Sequence, residues 1–347
     1  MSTRHVGIRD VAEAAGVSVT TVSHVLNDTP HTRTSEVTKE RVRAVAKELG
    51  YGPNRVARAL RTQRSGLIGL LSEEIATTPH AGRIILGAQE TARRHDLTLV
   101  IINAERQGDD RGHAEDVSAL LDRQVDGILY ATMFHREVSL PPNVVGTPTV
   151  LIDARDRAGR VPCVVPDEHS GALAAVGALL AAGHRRIGFL NNVDDIPPTR
   201  DRLRGYREAL AGAGIKVDDE LIQAGPSEVA DGYRLALEML DRADRPTALF
   251  CYNDRMAMGA YRAAAQLGLG IPTDLSVVGF DNQELIAANL FPALTTVALP
   301  HYEMGAWAVE TLVRLLRGRG EELLLLDHPT LLPCPLIERD SIAPPAI

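Results

Sequence analysis

Between residues 66 and 280, short apolar runs alternate with amphipathic stretches long enough to be helices, and this alternation limits the open folds more than any other feature. Runs at 67–71, 97–102 and 127–131 enclose helical patterns at 83–94 and 114–123. The pattern restarts after residue 161, with runs at 186–190, 221–224, 248–251 and 276–280 among helical stretches at 170–182, 202–211, 229–242 and 254–267. Strands separated by helices of this length imply βαβ units with parallel sheets, and ligands of such folds sit at the carboxyl ends of the strands. At 347 residues the chain exceeds one ordinary core, so two successive doubly wound sheets are expected.

The first 65 residues follow a different rule. Ile8, Val11, Ala12 and Ala15 fall at i, i+3, i+4 and i+7, one apolar helical face, and Gly16 supplies the freedom for a sharp turn. Ser18 is placed to cap a second short helix whose inward face is Val22, Val25 and Leu26. A third helix runs from a Thr34/Ser35 cap through Val42, Val45, Ala46 and Leu49 to Gly50. Helix, glycine turn, helix is the spacing of a helix-turn-helix. On the second helix Thr20 and His24 lie opposite Val22, with Ser23 and Asn27 on its flank, so short polar groups able to bond base edges face outward. The bland alternative is a solvated polar face. Charge argues against it: residues 1–65 hold eleven Lys and Arg against six acids, +5 net, so the chain's −8 leaves −13 to the rest. Pro53 suits a helix start, and 54–61 covers only about two turns, a segment that orders when packed against something.

IRDVAEAAGVSVTTVSHVLND followed by TKERVRAVAKELGYGPNRVARALRT resembles the head of the LacI/GalR family of bacterial transcription regulators. The resemblance implies that the second helix enters the major groove, with Val19, Thr20, Thr21, Ser23, His24 and Asn27 at the DNA. It also implies a hinge helix beginning at the Pro53-Asn54 pair that enters the minor groove as a dimer, with Asn54, Leu60 and Arg61 at the DNA and Leu60 as an apolar wedge. His24 stands where the family usually has arginine, and the loop 28–35 is about two residues longer than usual, so the half-site differs from the common one.

The stretches RQVDGILYA, TVLIDAR, AAGHRRIGFL, RDRLRGYREAL, PTALFCYNDRMAMGA, SVVGFDN and FPALTTV are also similar to the family, whose body looks like a two-lobed periplasmic sugar-binding protein. The expected organisation is a helix-turn-helix domain at 1–52, a hinge and linker at 53–65 and an effector-binding, dimerising body at 66–347. Lobe one would be 66–165 with a return through 299–324, and lobe two 166–296 plus 325–347. The resemblance places Asp153, Arg202, Asn253 and Asp281 at effector-binding positions, where carboxylate, guanidinium and amide groups suit a polyhydroxylated ligand. Each also has a local reading: Asp153 and Asp281 as loop caps, Asn253 as the cap of a helix beginning near Asp254, Arg202 paired with Asp201. Glu73 and Glu74 follow the first strand, and Glu73 is expected to add a carboxylate near the ligand.

Catalytic motifs are missing. There is no GxSxG elbow, no phosphate loop, no HExxH and no strand-borne GxGxxG, and His113-Ala114-Glu115 lacks the PCxxC partner of a zinc deaminase, so neither enzyme, cofactor nor metal is expected. Cys163, Cys251 and Cys334 form no CxxC pair and read as buried thiols. The first ten residues are polar and no 18-residue apolar stretch occurs, which implies a soluble cytoplasmic protein without a membrane partner. Together these features imply a repressor that binds double-stranded operator DNA as a homodimer, its affinity set by a small molecule, a sugar or related metabolite. The alternative is the sugar-binding component of a transport system.

Overall fold

The computed structural model describes residues 6–27, 32–51, 64–78, 81–104, 110–159, 161–319 and 329–346, with the side chains of 110–112 excepted. The chain divides into two compact units, Met1–Gly66 and Leu67–Ile347.

In the first unit α1 (Ile8–Ala15), α2 (Val19–Leu26) and α3 (Glu36–Glu48) bury Val11, Ala12, Ala15, Val22, Val25, Val42 and Ala46 against one another. Gly16 closes α1 at φ 62°, a left-handed conformation that costs any residue with a Cβ, and so turns the chain directly into α2. Ser18 caps α2 by accepting from the Thr21 amide at 3.1 Å, and Ser35 caps α3 from the Thr38 amide at 3.3 Å.

Among its described residues the second unit contains two six-stranded sheets. The first joins β1 (Leu67–Glu73), β2 (Thr98–Ala104), β3 (Gly127–Val138), β4 (Thr149–Asp156), β5 (Cys163–Pro166) and β11 (Thr330–Leu332) in the order β11-β5-β4-β3-β1-β2. The second joins β6 (Ile187–Asn192), β7 (Ile222–Gly225), β8 (Ala248–Cys251), β9 (Ser276–Asp281), β10 (Thr295–Ala298) and β12 (Leu336–Ile337) in the order β12-β10-β9-β8-β6-β7. Among the described residues only β12 is antiparallel to its neighbour. Both lobes therefore repeat one doubly wound order, whose ligand crevice lies beyond the carboxyl ends of the strands.

Helices cover the sheets. The first lobe carries α4 (Gly82–Arg94), α5 (Asp110–Leu121) and α10 (His301–Leu316); the second carries α6 (Glu168–Ala181), α7 (Pro197–Gly212), α8 (Val229–Leu240) and α9 (Asp254–Gln266). α4 and α10 cross at backbone distance: a Cβ on Gly87 would lie 2.0 Å from the Tyr302 carbonyl oxygen, and one on Gly305 2.1 Å from that of Ile84. The chain passes between lobes after β5, after β10 and between β11 and β12. Since Thr330–Leu332 pair with Val164–Pro166 in the first sheet, the last passage falls at 333–335, not at the expected 324/325. A three-residue strand gives too little pattern to place it from sequence.

Candidate functional site

The helix-turn-helix positions divide into two groups. Val19 and Thr20 are exposed and His24 half-buried on the outer face of α2, and among the described residues nothing bonds the side chains of Thr20 or His24. The other three work within the helix. The Thr21 hydroxyl lies 2.9 Å from Ser18 Oγ, and Asn27 Nδ2 donates to the Ser23 carbonyl at 2.7 Å, closing the last turn. Asn54, Leu60 and Arg61 fall outside the described residues.

In the body, a cavity of about 1090 Å³ opens between the lobes. Lobe one supplies Thr77, Thr78, Arg83 and His301 to it; lobe two supplies Arg255 and the loop Asp281, Asn282, Gln283 and Glu284. Leu299, Pro300, Leu332, Pro333 and Pro335, at two of the passages between lobes, make an apolar wall. Arg83 and Glu284 bridge the lobes at 3.0 Å.

The loop at Asp281 is built to hold an unfavourable shape. Asp281 and Asn282 have φ of 96° and 51°, left-handed values that side chains seldom adopt. Two supports, the buried Asp254 and the half-buried Arg339, hold them there. Asp254 at the start of α9 accepts from the Gln283 amide and the Thr296 hydroxyl, both at 2.6 Å, while Arg339 Nη2 donates to Asn282 Oδ1 at 2.8 Å. Burial, then the nearby Asp281 carboxylate, pushes the Asp254 carboxyl up to about 8.

Of the four expected effector residues, Asp281 lines the cavity and two stand behind it. Arg202 is 3% exposed and has every nitrogen engaged. Its Nε donates to Glu168 Oε2 at 2.7 Å, Nη1 to the Tyr252 carbonyl, and Nη2 to Asp281 Oδ1 at 3.4 Å. The guanidinium carbon lies 3.7 Å from the Phe280 ring centre and 4.4 Å from that of Tyr252. Asp153, 3% exposed at φ 56°, belongs to the same charge cluster, and its Oδ1 is buried without a hydrogen bond. Burial first, then Glu168 and Asp281 against the opposing Arg202, holds the Asp153 carboxyl well above the usual carboxylate range. Asn253 stands apart: its Oδ1 caps α9 at Met256, 2.9 Å away, and its Nδ2 donates to the Ser227 carbonyl at 3.0 Å.

Two expectations are corrected here. Arg202 does not pair with Asp201, which bonds Arg204 at 3.1 Å one turn on. Glu73 offers no carboxylate to the cavity; it is fully buried, bonded by Tyr130 Oη at 2.6 Å and by Arg136, with His113 Nε2 3.7 Å away. Alternation along β1 turns Glu73 to the α5 face of the sheet. Glu168, Asp254 and Gln283 were not singled out from the sequence. An acid at the first position of a helix reads as ordinary dipole complementation, and nothing local marks it as the partner of an arginine 34 residues away. Among the described residues no cluster of His, Cys, Asp or Glu suits a metal ion, and no helix is long and apolar enough to cross a membrane. The three cysteines are free; Cys251 and Cys334 are buried, and burial pushes the half-buried Cys163 thiol up to about 11.

A helix-turn-helix unit joined in one chain to a two-lobed α/β body with a cavity between its lobes defines a class: DNA-binding regulators that answer to a small molecule. Residues 7–54 match the family of bacterial regulatory proteins, lacI family, and residues 176–342 a periplasmic binding protein-like domain. The chain is 36% identical to the HTH-type transcriptional regulator RegA of Clostridium saccharobutylicum, over 96% of this chain and 98% of that one. It is 35% identical to the HTH-type transcriptional repressor PurR of Pectobacterium atrosepticum, over 97% and 96%. The lac repressor dimer bound to operator and the anti-inducer ONPF superposes with a TM-score of 0.78 at 28% identity, covering 98% of this chain and all of that one. A CelR–cellobiose complex gives 0.66 at 29% identity, over 97% of this chain and all of that one. The chain belongs to the lacI family and is a DNA-binding transcriptional regulator.

Proposed function

We propose that the protein is a cytoplasmic, non-enzymatic repressor that grips a pseudo-palindromic operator as a homodimer and releases or tightens that grip when a saccharide or related metabolite enters the cavity between its lobes. One short helix reads too few base pairs alone, so two-fold symmetry supplies the second half-site. Val19, Thr20 and His24 read base edges; Thr21, Ser23 and Asn27 shape the helix that carries them; Asn54, Leu60 and Arg61 act in the minor groove. In the body Asp281 meets the ligand, Arg202 and Asp153 set its charge and position from behind, and Asn253 fixes the start of α9. Ligand binding that favours one arrangement of the lobes changes operator affinity reciprocally, typically by about 1–3 kcal/mol.

The observation that carries this reading is the pairing in one chain of an outward face at Val19, Thr20 and His24 with an interlobe cavity walled by a strained polar loop. The test is selection of binding sites from random duplex DNA, run on the wild type and on His24→Arg. A two-fold consensus whose half-site shifts in the variant supports the reading. The absence of salt-sensitive duplex binding favours a transport component instead, and an unshifted consensus removes residue 24 from base reading.

A further inference from the structure

Behind the cavity wall, Arg202 stands between Asp281, which lines the cavity, and the buried Glu168. Each nitrogen of Arg202 already has a partner: Glu168, the Tyr252 carbonyl and Asp281 take three of its five N–H donors, and aromatic rings lie over the guanidinium. An arginine in this state cannot turn toward a ligand without breaking a buried ion pair. Around it stand three carboxyl groups, Asp153, Glu168 and Asp281, of which Asp281 reaches the cavity. Glu168 alone cancels the guanidinium charge, leaving Asp281 without a net counter-charge. The Oδ1 of Asp153 is buried without a hydrogen bond, and its carboxyl, held well above the usual range, adds a polar group to the cluster but no charge to the count.

We propose that Glu168 selects the charge of the effector: by closing Arg202 into a buried ion pair it leaves an acidic wall, so the cavity accepts neutral hydroxyl-bearing or protonated amino ligands and rejects carboxylates and phosphates. This rests on the effector reading above and adds a class to it. The charge count rests on the 2.7 Å contact between the buried Arg202 and Glu168 side chains. The cluster raises Arg202 further above its ordinary range, so the guanidinium stays protonated. Burial leaves the Glu168 carboxyl above its ordinary value, with the adjacent Arg202 and its 2.7 Å bond opposing that rise. The cations that line the cavity do not reverse the balance, because Arg83 is bonded to Glu284 and Arg255 lies 3.4 Å from Glu228.

The experiment titrates the full-length protein calorimetrically with probes matched in skeleton and differing in charge: D-ribose and ribose 5-phosphate; D-glucose, D-glucosamine and D-glucuronate; cellobiose and cellobionate. The expected result is that any skeleton that binds does so as its neutral or amino form, with the acidic form at least about tenfold weaker, the order set by one unit charge a few ångströms behind the wall at an effective dielectric of about 20. An acid or phosphate that binds as tightly as its neutral counterpart overturns the charge selection while leaving an effector site in the cavity. Binding by none of the probes overturns the saccharide reading and this inference with it. Glu168→Gln should narrow the neutral-to-acid ratio at least about threefold, since it keeps an acceptor for Arg202 and removes the charge. An unchanged ratio in a folded variant assigns the selection to other groups and overturns the role of Glu168; the wild-type ratios stand as the test if that variant does not fold.

Discussion

Replacing Arg202 by methionine tests whether this arginine is a structural hub. Methionine keeps much of the side-chain length beside Phe280 and Tyr252 but strips the Glu168 carboxylate of its 2.7 Å partner, the Tyr252 carbonyl of its donor and Asp281 of its Nη2 contact. Removing one member of a buried, hydrogen-bonded ion pair leaves an uncompensated charge and costs about 3–5 kcal/mol. Glu168→Met is milder, about 2 kcal/mol, because Arg202 retains Asp281 and the Tyr252 carbonyl. The double variant replaces the pair with apolar volume against two aromatic rings. It should therefore be more stable than the sum of the single losses predicts, by about 2 kcal/mol. The readout must report on the second lobe. The single tryptophan, Trp307, packs in the first-lobe core, so urea unfolding by far-UV circular dichroism should be paired with amide exchange across β6 and β9. A loss below about 1 kcal/mol in Arg202→Met, or costs that simply add in the double variant, would refute the hub.

Two further outcomes follow from buried features away from Arg202. Asp254, held up to about 8 in the folded protein against an ordinary value near 4, keeps its proton in the folded state where the unfolded chain has lost it. Its contribution is full below the unfolded value and is lost as pH rises toward 8, a slope of about 1.4 kcal/mol per pH unit between those limits. Asp254→Asn should flatten the decline of stability between pH 4 and 8, measured by urea midpoints; an unchanged slope would show that another group titrates. Gly87→Ala places a Cβ 2.0 Å from the Tyr302 carbonyl oxygen and should separate α4 from α10, at a cost of about 3 kcal/mol or more. Trp307 on α10 reports the loss by fluorescence, and a wild-type midpoint would mean that the helices slide past each other freely.

Much of this architecture was legible in the sequence because its causes are local. The glycine turn between two amphipathic helices, the Ser18 and Ser35 caps and the alternating apolar runs each act within about ten residues, and each appears where those forces place it. The capping role of Asn253 was legible in the same way. The short strands β11 and β12 were not, since two or three residues form strands only because a sheet edge is present to pair with them.

The sequence by itself determined the class of protein, because helix period, strand period and cap chemistry follow from adjacent residues. Which carboxylates face a ligand was decided only by the tertiary structure. Glu73 and Glu168 look equivalent along the chain, yet the pleat of β1 turns one toward Tyr130 and Arg136, while the packing of α6 against α7 brings the other to Arg202. Charge acts through space and not along the backbone, so the polarity of the cavity is set by contacts between residues 34 and 79 positions apart.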